Sequence, residues 1–199
     1  FDFGPGRRSG PMASSFWFKE ERYGSVTPVL FFSRRIGLSQ GRTVPIQGGG
    51  RLTGKAGPYS IGLLNVQTGT ELTADTAPTN FSVVRLKRDV LRRSSVGTLF
   101  TGRSVSIDQN GSNRVYGVDG DFGFYDNLRI STYLARSETP DYRSDDLSYQ
   151  AQLDYSGETW GMTADHLSVD KHFNPEVGFV RRTDFHRNFA SFRVTPRPR

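Results

Sequence analysis

Asp119 and Asp121 are the acidic residues whose spacing comes closest to a catalytic arrangement. In a β-strand, residues two positions apart share a face and lie about 7 Å from each other. Glycosidases use paired carboxylates at such separations. A polar strand face contains acids at this spacing without any catalysis, and no Ser nucleophile elbow, phosphate-binding glycine loop or Cys/His pair accompanies them. We therefore expect no catalytic residue and keep a carbohydrate-active hydrolase only as an alternative.

Two other clusters contain potential metal ligands but lack the spacing of a known site. In the first (residues 165–172), Asp165 and His166 would face opposite sides of a strand, and the cluster matches no zinc signature. The second, residues 108–112, resembles the start of a calcium loop without its downstream bidentate glutamate, and it is more typical of a hairpin turn. The sequence predicts neither a metal nor a cofactor.

Arginine is the residue type with the clearest capacity to bind a ligand, because a guanidinium holds a carboxylate or phosphate through two parallel hydrogen bonds. Adjacent arginines occur twice next to a glycine in an apolar run. With two basic and two acidic residues of strand-like segments, they form the set of candidate ligand-binding residues. The set is Arg34, Arg35, Arg85, Lys87, Asp119, Asp121, Arg181 and Arg182.

The adjacent arginines allow two interpretations. They could line a polar interior and bind anionic sugar or lipid groups. They could instead form salt bridges that brace a wall, which is the interpretation we favour. Since neighbouring residues of a strand face opposite sides, only one arginine of each pair can face that interior. The expected acidic partners are Asp119, Asp121, Asp154 and Asp165.

Strict alternation of apolar and polar residues predicts β-strands along most of the chain. The clearest example is 147–155, where five apolar or aromatic residues alternate with Ser, Gln and Asp. In 116–124, Tyr, Val and Phe share one face, and Gly and Asp share the other. The same period predicts strands over 128–134 and 160–165. Further candidates bring the total to about ten: 29–35, 44–55, 59–68, 81–90, 96–103 and 187–194.

Turn-forming residues fall between these strands, as a meander of hairpins requires. Longer connections are predicted over 73–80 and 137–146. Tight turns that alternate with longer loops are typical of outer-membrane barrels. The predicted turns are Asn110-Gly111, Asp126-Asn127, Ser156-Gly157 and Asn174-Pro175, the last just before Val177.

Composition excludes several classes of protein. The 199 residues contain no Cys, so a disulfide framework is excluded, and no apolar run is long enough for a spanning helix. The formal charge of +6 comes from dispersed cations without a basic helix, zinc motif or RNA-binding aromatic signature, so we expect no nucleic-acid partner. Residues 1–28 are rich in Gly, Pro, Ser and Arg and predict a linker or plug. The aromatic triplet 16–18 could there form an interfacial girdle or pack on a core.

The polar face of the predicted strands decides between a membrane barrel and a soluble β-sandwich. That face carries Arg85 and Lys87 on one strand and Asp119 and Asp121 on another. Such charges stay hydrated or paired in a polar lumen, whereas burial in a sandwich core costs several kcal/mol for each unsatisfied group. A sandwich could instead expose the charged face to water. The pattern favours a barrel and leaves the sandwich open.

Five stretches resemble one bacterial family. They are LFFSRRIGLSQGRTVPIQGGGRLTGKAGPYSIGLLNVQTGT (30–70), NFSVVRLKRDVL (80–91), VYGVDGDF (115–122), YQAQLDYSGETWGM (149–162) and HFNPEVGFVRRTDFHRNFASFRVTPRPR (172–199). The family's C-terminal domain is an outer-membrane barrel, and its N-terminal half is similar to family-nine carbohydrate-binding modules. Its members are often labelled membrane-associated hydrolases, a label that carries no catalytic residues to this chain. The resemblance implies that the chain is the first part of a larger barrel.

We therefore expect an all-β, antiparallel meander over residues 29–199, part of a barrel in the bacterial outer membrane, with a soluble β-sandwich as the alternative. The expected function is non-enzymatic: to anchor a carbohydrate-recognising envelope protein or to serve transport for it. The expected partners are outer-membrane lipid, a carbohydrate or polyanionic envelope ligand, and a larger protein assembly. The alternative is a soluble or surface-attached β-domain that acts as a structural subunit.

Overall fold

The structure, a computed structural model, describes residues 26–39, 41–71, 76–140 and 144–196. Its main feature is a sheet of nine antiparallel strands in which each strand pairs with its neighbours in sequence. The predicted all-β antiparallel meander is confirmed, with nine strands in this sheet where about ten were expected. Among the described residues, no helix is long and apolar enough to cross a membrane.

The chain enters the sheet after a 3-10 turn, Ser33–Arg35, and a two-stranded ladder of β1 (Leu38–Ser39) and β2 (Arg42–Thr43). In the described part of the chain, β3 and β11 are the edges of the main sheet, and they do not pair with each other. The nine strands are β3 (Ile46–Ala56), β4 (Tyr59–Thr68), β5 (Thr79–Leu91), β6 (Ser94–Arg103), β7 (Asn113–Phe124), β8 (Leu128–Glu138), β9 (Leu147–Ser156), β10 (Trp160–Val169) and β11 (Phe185–Val194).

The two ends of the sheet differ in their connections. At one end the strands are joined by two or three residues: 57–58, 92–93, 125–127 and 157–159. At the other end the connections are much longer: 69–78, 104–112, 139–146 and 170–184. We call these the short-turn end and the long-loop end. The predicted turns at 126–127 and 156–157 are confirmed at the short-turn end, whereas 110–111 and 174–175 lie within long connections.

Alternation along the strands gives the sheet two faces. One carries exposed apolar residues in continuous rows, such as the register row Val84, Phe100 and Tyr116, and we call it the open face. The other contains the buried residues, such as Val83 and Val115, and we call it the covered face. The faces predicted for 116–124, 128–134 and 160–165 are confirmed by this arrangement.

Two segments outside the sheet, 26–37 and 170–184, cover the long-loop half of the covered face, and together we call them the insert. They are joined by an antiparallel bridge between Val29 and Phe179, with N···O distances of 2.9 and 2.8 Å in the two directions, and by a 2.9 Å bond from Phe32 N to the Val177 carbonyl. One core results. Its insert members are Leu30, Phe31, Phe173 and Val177, and its sheet members are Phe81, Val83, Leu99, Val115, Tyr133, Ala135, Leu167 and Val169.

The strand predicted over 29–35 was wrong, because this segment belongs to the insert. Residues 29–35 form one bridge residue and the 3-10 turn, and Val177, which follows the predicted turn at 174–175, lies in the connection between β10 and β11. The apolar residues of both segments are buried because they pack on the covered face, so an apolar run here did not mean a strand of the main sheet. Of the predicted linker 1–28, the structure describes only 26–28, and the aromatic triplet 16–18 lies outside the described residues.

Candidate functional site: the charged part of the covered face

A buried ion pair spans three strands in the middle of the covered face. Arg85 on β5 is 1% exposed and binds both carboxylate oxygens of Asp119 on β7, with Nη2···Oδ2 at 2.8 Å. Strand β6 lies between them and has Gly97 at the crossing point. A Cβ on residue 97 would lie 2.7–2.9 Å from three guanidinium atoms of Arg85. The absence of a side chain at Gly97 therefore leaves the space in which Arg85 reaches its partner.

The charged row continues across the remaining strands. Arg129 on β8 donates to both oxygens of Asp121, with Nε···Oδ1 at 2.9 Å. Farther along, Asp165 on β10 accepts from Gln150 Nε2 at 2.6 Å and from Arg187 Nη2 at 2.7 Å. Including Arg85 and Asp119, the row alternates in charge from β5 to β11. Each of these three acids is hydrogen-bonded to an arginine on another strand. Together with the bond from Gln150, these contacts involve six strands, namely β5, β7, β8, β9, β10 and β11.

This geometry supports the bracing role for the acids and for Arg85. A carboxylate whose two oxygens each accept a hydrogen bond from one guanidinium forms a bidentate pair, and such pairs are the strong ones. Arg85 and Asp119 are bonded in this way, and so are Asp121 and Arg129. Lys87 is half-buried on the same face of β5. The structure thus brings Arg85, Lys87, Asp119 and Asp121 together, as the sequence predicted.

The four adjacent arginines are not part of this row, which corrects the sequence interpretation. Arg34 and Arg35 lie in the 3-10 turn of the insert, and Arg181 and Arg182 lie in the connection before β11. All four are exposed. Arg182 lies over the ring of Phe185, with its guanidinium carbon 5.2 Å from the ring centroid. Because these residues are outside the strands, the expectation that one of each pair faces the interior does not apply. Of their expected acidic partners, three bind other arginines, which are Arg85, Arg129 and Arg187. The fourth, Asp154, accepts from Gln152 Nε2 and Thr163 Oγ1.

A second polar centre fixes the insert to the sheet through Glu176, whose side chain is fully buried. Its carboxylate accepts from Ser106 Oγ at 2.6 Å and from the backbone N of Ile107 at 2.9 Å, both in the connection after β6. Arg103 Nη1 lies 3.5 Å from the same carboxylate. The backbone N of Glu176 donates to Asn113 Oδ1 at 3.2 Å. The buried side chain of Glu176 thus satisfies polar groups of the connection after β6 and lies beside the arginine at the end of that strand.

The sequence did not lead us to predict that Glu176, Arg129 and Arg187 join separate parts of the structure through their side chains. For Arg129 and Arg187 a signal was available, since both alternate with apolar residues in predicted strands. Glu176 had no such signal, because it follows Pro175 in a segment without periodicity. Only the packing of the insert on the sheet brings it to Ser106, which is 70 residues away in sequence.

Metal and hydrolytic chemistry receive no geometric support within the described residues. No group of three or more His, Cys, Asp or Glu side chains there could hold a metal ion. Asp119 and Asp121 share a face, as a paired-carboxylate mechanism would need, but each is bound to its own arginine.

No family model, curated protein or solved structure matches this chain. The function is therefore argued from the arrangement of its own residues.

Proposed function

We propose that this chain is part of the wall of a bacterial outer-membrane β-barrel that anchors an envelope protein and is non-enzymatic. The observation that carries the proposal is the contrast between the two faces of one sheet. The open face carries an uncovered belt of apolar side chains, and the covered face has a row of ion pairs and a packed insert. A soluble sheet places its apolar face against a core, whereas a transmembrane barrel places it against lipid and its polar face against the lumen.

The apolar belt of the open face has a suitable length. On β7 it runs from Tyr116 to Phe124, nine residues, which is within the roughly 9–11 residues of a tilted transmembrane β-strand. Val118 and Leu134 face each other inside the belt, one row from its middle at Gly120, and are 50% and 47% exposed. Within the described residues nothing packs on them, which supports lipid as the covering medium.

The ends of the sheet support the same proposal. Outer-membrane barrels have short periplasmic turns, long outer loops and aromatic girdles at the interfaces. Here four tight turns share one end, and aromatic side chains gather beside them on the open face. Tyr155 and Trp160 have ring centroids 4.1 Å apart, and Trp160 and Phe192 are 6.3 Å apart. The short-turn end is thereby assigned to the periplasm and the long-loop end to the cell exterior.

The insert bears on the choice between anchoring and transport. It fills the long-loop half of the covered face with a hydrophobic core and the buried Glu176. Passage through this half of a lumen would require the insert to leave, with loss of that core. Anchoring requires no such movement, so we favour it. A carbohydrate-recognising partner domain rests on the family resemblance alone.

The test uses charge substitutions at two depths of the open face. Leu134→Arg puts a cation inside the belt, one row from its middle, and Leu91→Arg puts one beside a short turn. In a membrane, arginine costs about 2–4 kcal/mol at the midplane and about 0–1 near the interface. The natural protein should stay in outer membranes after carbonate extraction and show heat-modifiable gel mobility. Leu134→Arg should reduce the assembled fraction strongly, and Leu91→Arg should not.

The competing function, a soluble structural subunit, gives a different result. It predicts release from membranes without detergent, and both leucines are already exposed in this chain, so both arginine variants would then fold equally well. Equal behaviour of the two variants, together with full release by carbonate, would overturn the barrel proposal.

A further inference from the structure

A groove of about 500 Å³ lies on the open face near the long-loop end, across β5, β6 and β7. It is bounded by the end of the apolar belt on one side and by the connection after β6 on the other. Phe100 lies along β6 toward Gly102, where a Cβ would be 3.2 Å from its ring, so the missing side chain leaves the ring face uncovered. Its principal lining residues are Asn80, Ser82, Phe100, Gly102, Ser104 and Arg114.

The groove lies where the open face changes from apolar to polar. In the strand register, Val84, Phe100 and Tyr116 form one row, and the next row toward the long-loop end contains Ser82, Gly102 and Arg114. The ring centroids of Phe100 and Tyr116 are 5.4 Å apart, which gives the apolar side an aromatic floor. An amphipathic ligand would thus meet apolar and polar surfaces without a break between them.

The polar side of the groove is built on a network of amides. Asn65 Nδ2 donates to Asn80 Oδ1 at 2.9 Å and to Ser82 Oγ at 2.8 Å. Asn80 Nδ2 donates in turn to Asn65 Oδ1 at 3.1 Å and to Gln67 Oε1 at 3.2 Å. Ser82 Oγ donates in turn to Asn80 Oδ1 at 2.9 Å, so every donor and acceptor of the Asn80 amide is used, whereas the Ser82 hydroxyl keeps an acceptor lone pair. Ser104 Oγ accepts from the backbone N of Asn80 at 2.8 Å and keeps its own O–H as a donor. These bonds fix the side chains before any ligand arrives. A preorganised amide wall suits a ligand with several hydroxyl groups.

Arg114 provides the charge. Its side chain is exposed and, among the described residues, makes no hydrogen bond or ion pair, although Glu138 is its register partner on β8. On the same face, Arg136 lies in the row of Tyr116 and is already bound to Asp146, with Nε···Oδ2 at 3.0 Å. Arg114 is therefore available for an anion, and a guanidinium binds phosphate oxygens in a bidentate manner.

We infer that this groove binds the headgroup of a glycolipid, a phosphorylated sugar whose acyl chains lie along the belt below Phe100 and Tyr116. Arg114 would hold the phosphate, and Ser82 and Ser104 would bind sugar hydroxyls. The inference rests on the proposed barrel, because only there does the boundary of the belt coincide with the headgroup layer. It goes further by naming the lipid class and the residues that select it.

The test compares lipids on the natural full-length protein in detergent, by native mass spectrometry. Purified lipid A, a phosphorylated glucosamine lipid, is titrated against phosphatidylglycerol, which has a phosphate but no sugar ring. Arg114→Gln should weaken lipid A binding about tenfold, the loss expected for a charge-assisted hydrogen bond. The matched control is Arg88→Gln on the same face at the other end, where the guanidinium carbon lies 5.3 Å from the Tyr59 ring centroid. It should leave lipid A binding unchanged.

The outcomes separate the inference from the proposed function. Preference for lipid A over phosphatidylglycerol, lost in Arg114→Gln and kept in Arg88→Gln, supports the groove. Equal binding of the two lipids, or equal loss in the two variants, overturns it even when the protein is correctly inserted. Heat-modifiable mobility is recorded for every variant. If the natural protein does not insert into membranes, the proposed function and the inference both fail.

Discussion

Gly178 gives the sharpest test of how the insert is held. A Cβ at this position would overlap the carbonyl oxygen of Val29 and lie 2.7 and 2.8 Å from the carbonyl carbon and oxygen of Leu30. All these atoms are backbone, so no side-chain rotation relieves the overlap. Gly178 is not one of the glycines with positive φ, which makes the effect purely steric. Gly178→Ala must therefore separate the two segments of the insert.

The size of this destabilisation follows from the contacts that are lost when the two segments of the insert separate. The bridge between Val29 and Phe179 contributes two backbone hydrogen bonds, each worth about 1 kcal/mol net. Leu30 is 1% exposed, and full burial of a leucine contributes about 1.5–3 kcal/mol. Since part of that burial survives a small displacement, we expect Gly178→Ala to destabilise the docked insert by about 2–4 kcal/mol. At 1.4 kcal/mol for each factor of ten, the undocked population rises roughly 30-fold to several hundred-fold.

A thiol reporter measures this population directly. The chain contains no cysteine, and Val177 is completely buried beside the bridge. In a Val177→Cys background, the rate of labelling by a soluble maleimide reports the fraction of time for which the insert is undocked. Gly54→Ala is the matched control, because a Cβ at residue 54 meets nothing within 4 Å. The protein with Val177→Cys and Gly54→Ala should be labelled at the same rate as the protein with Val177→Cys alone.

Equal labelling rates for the Gly178→Ala and Gly54→Ala variants would contradict this prediction, because the insert would then not depend on the close approach at residue 178. Heat-modifiable mobility of each variant shows whether the sheet itself has folded. A variant with normal mobility and fast labelling has lost only the insert.

Two further predictions concern buried charges, and both are measured as the free energy of unfolding in a urea titration. Glu176→Ala leaves the donors around Glu176 without the buried carboxylate and should reduce this free energy by about 3–5 kcal/mol. Its control, Glu138→Ala, removes an exposed acid on β8 and should change it by less than about 0.5 kcal/mol. Arg85→Met should reduce the free energy of unfolding by about 3–5 kcal/mol, because Asp119 loses its partner. Its control, Lys55→Met, breaks an exposed pair with Nζ 3.1 Å from Asp89 and should reduce it by at most about 1 kcal/mol. Equal effects within either pair would show that the buried contact does not stabilise the fold as argued.

The sequence by itself determined the strands of the main sheet and the faces of those strands. Period-two alternation identifies a strand and its two sides from local information, because successive side chains of a strand must point in opposite directions. For this reason 116–124, 147–155 and 160–165 were predicted with the correct faces, and Asp119 and Arg85 were placed correctly on the polar one. Antiparallel neighbours followed from the tight turns at 126–127 and 156–157.

Tertiary structure alone decided which charges meet. Arg85 reaches Asp119 across β6 only because Gly97 lies at the crossing, and that coincidence depends on the register of three strands. The arginines at 34–35 and 181–182 matched the same residue-type argument, but they lie outside the strands. Insert residues such as Val177 and Glu176 carry no periodic signal, because their environment comes from the sheet that they cover and not from their own segment. A local pattern records how a chain alternates, whereas the partner of a buried group is fixed by distant residues that only folding brings near.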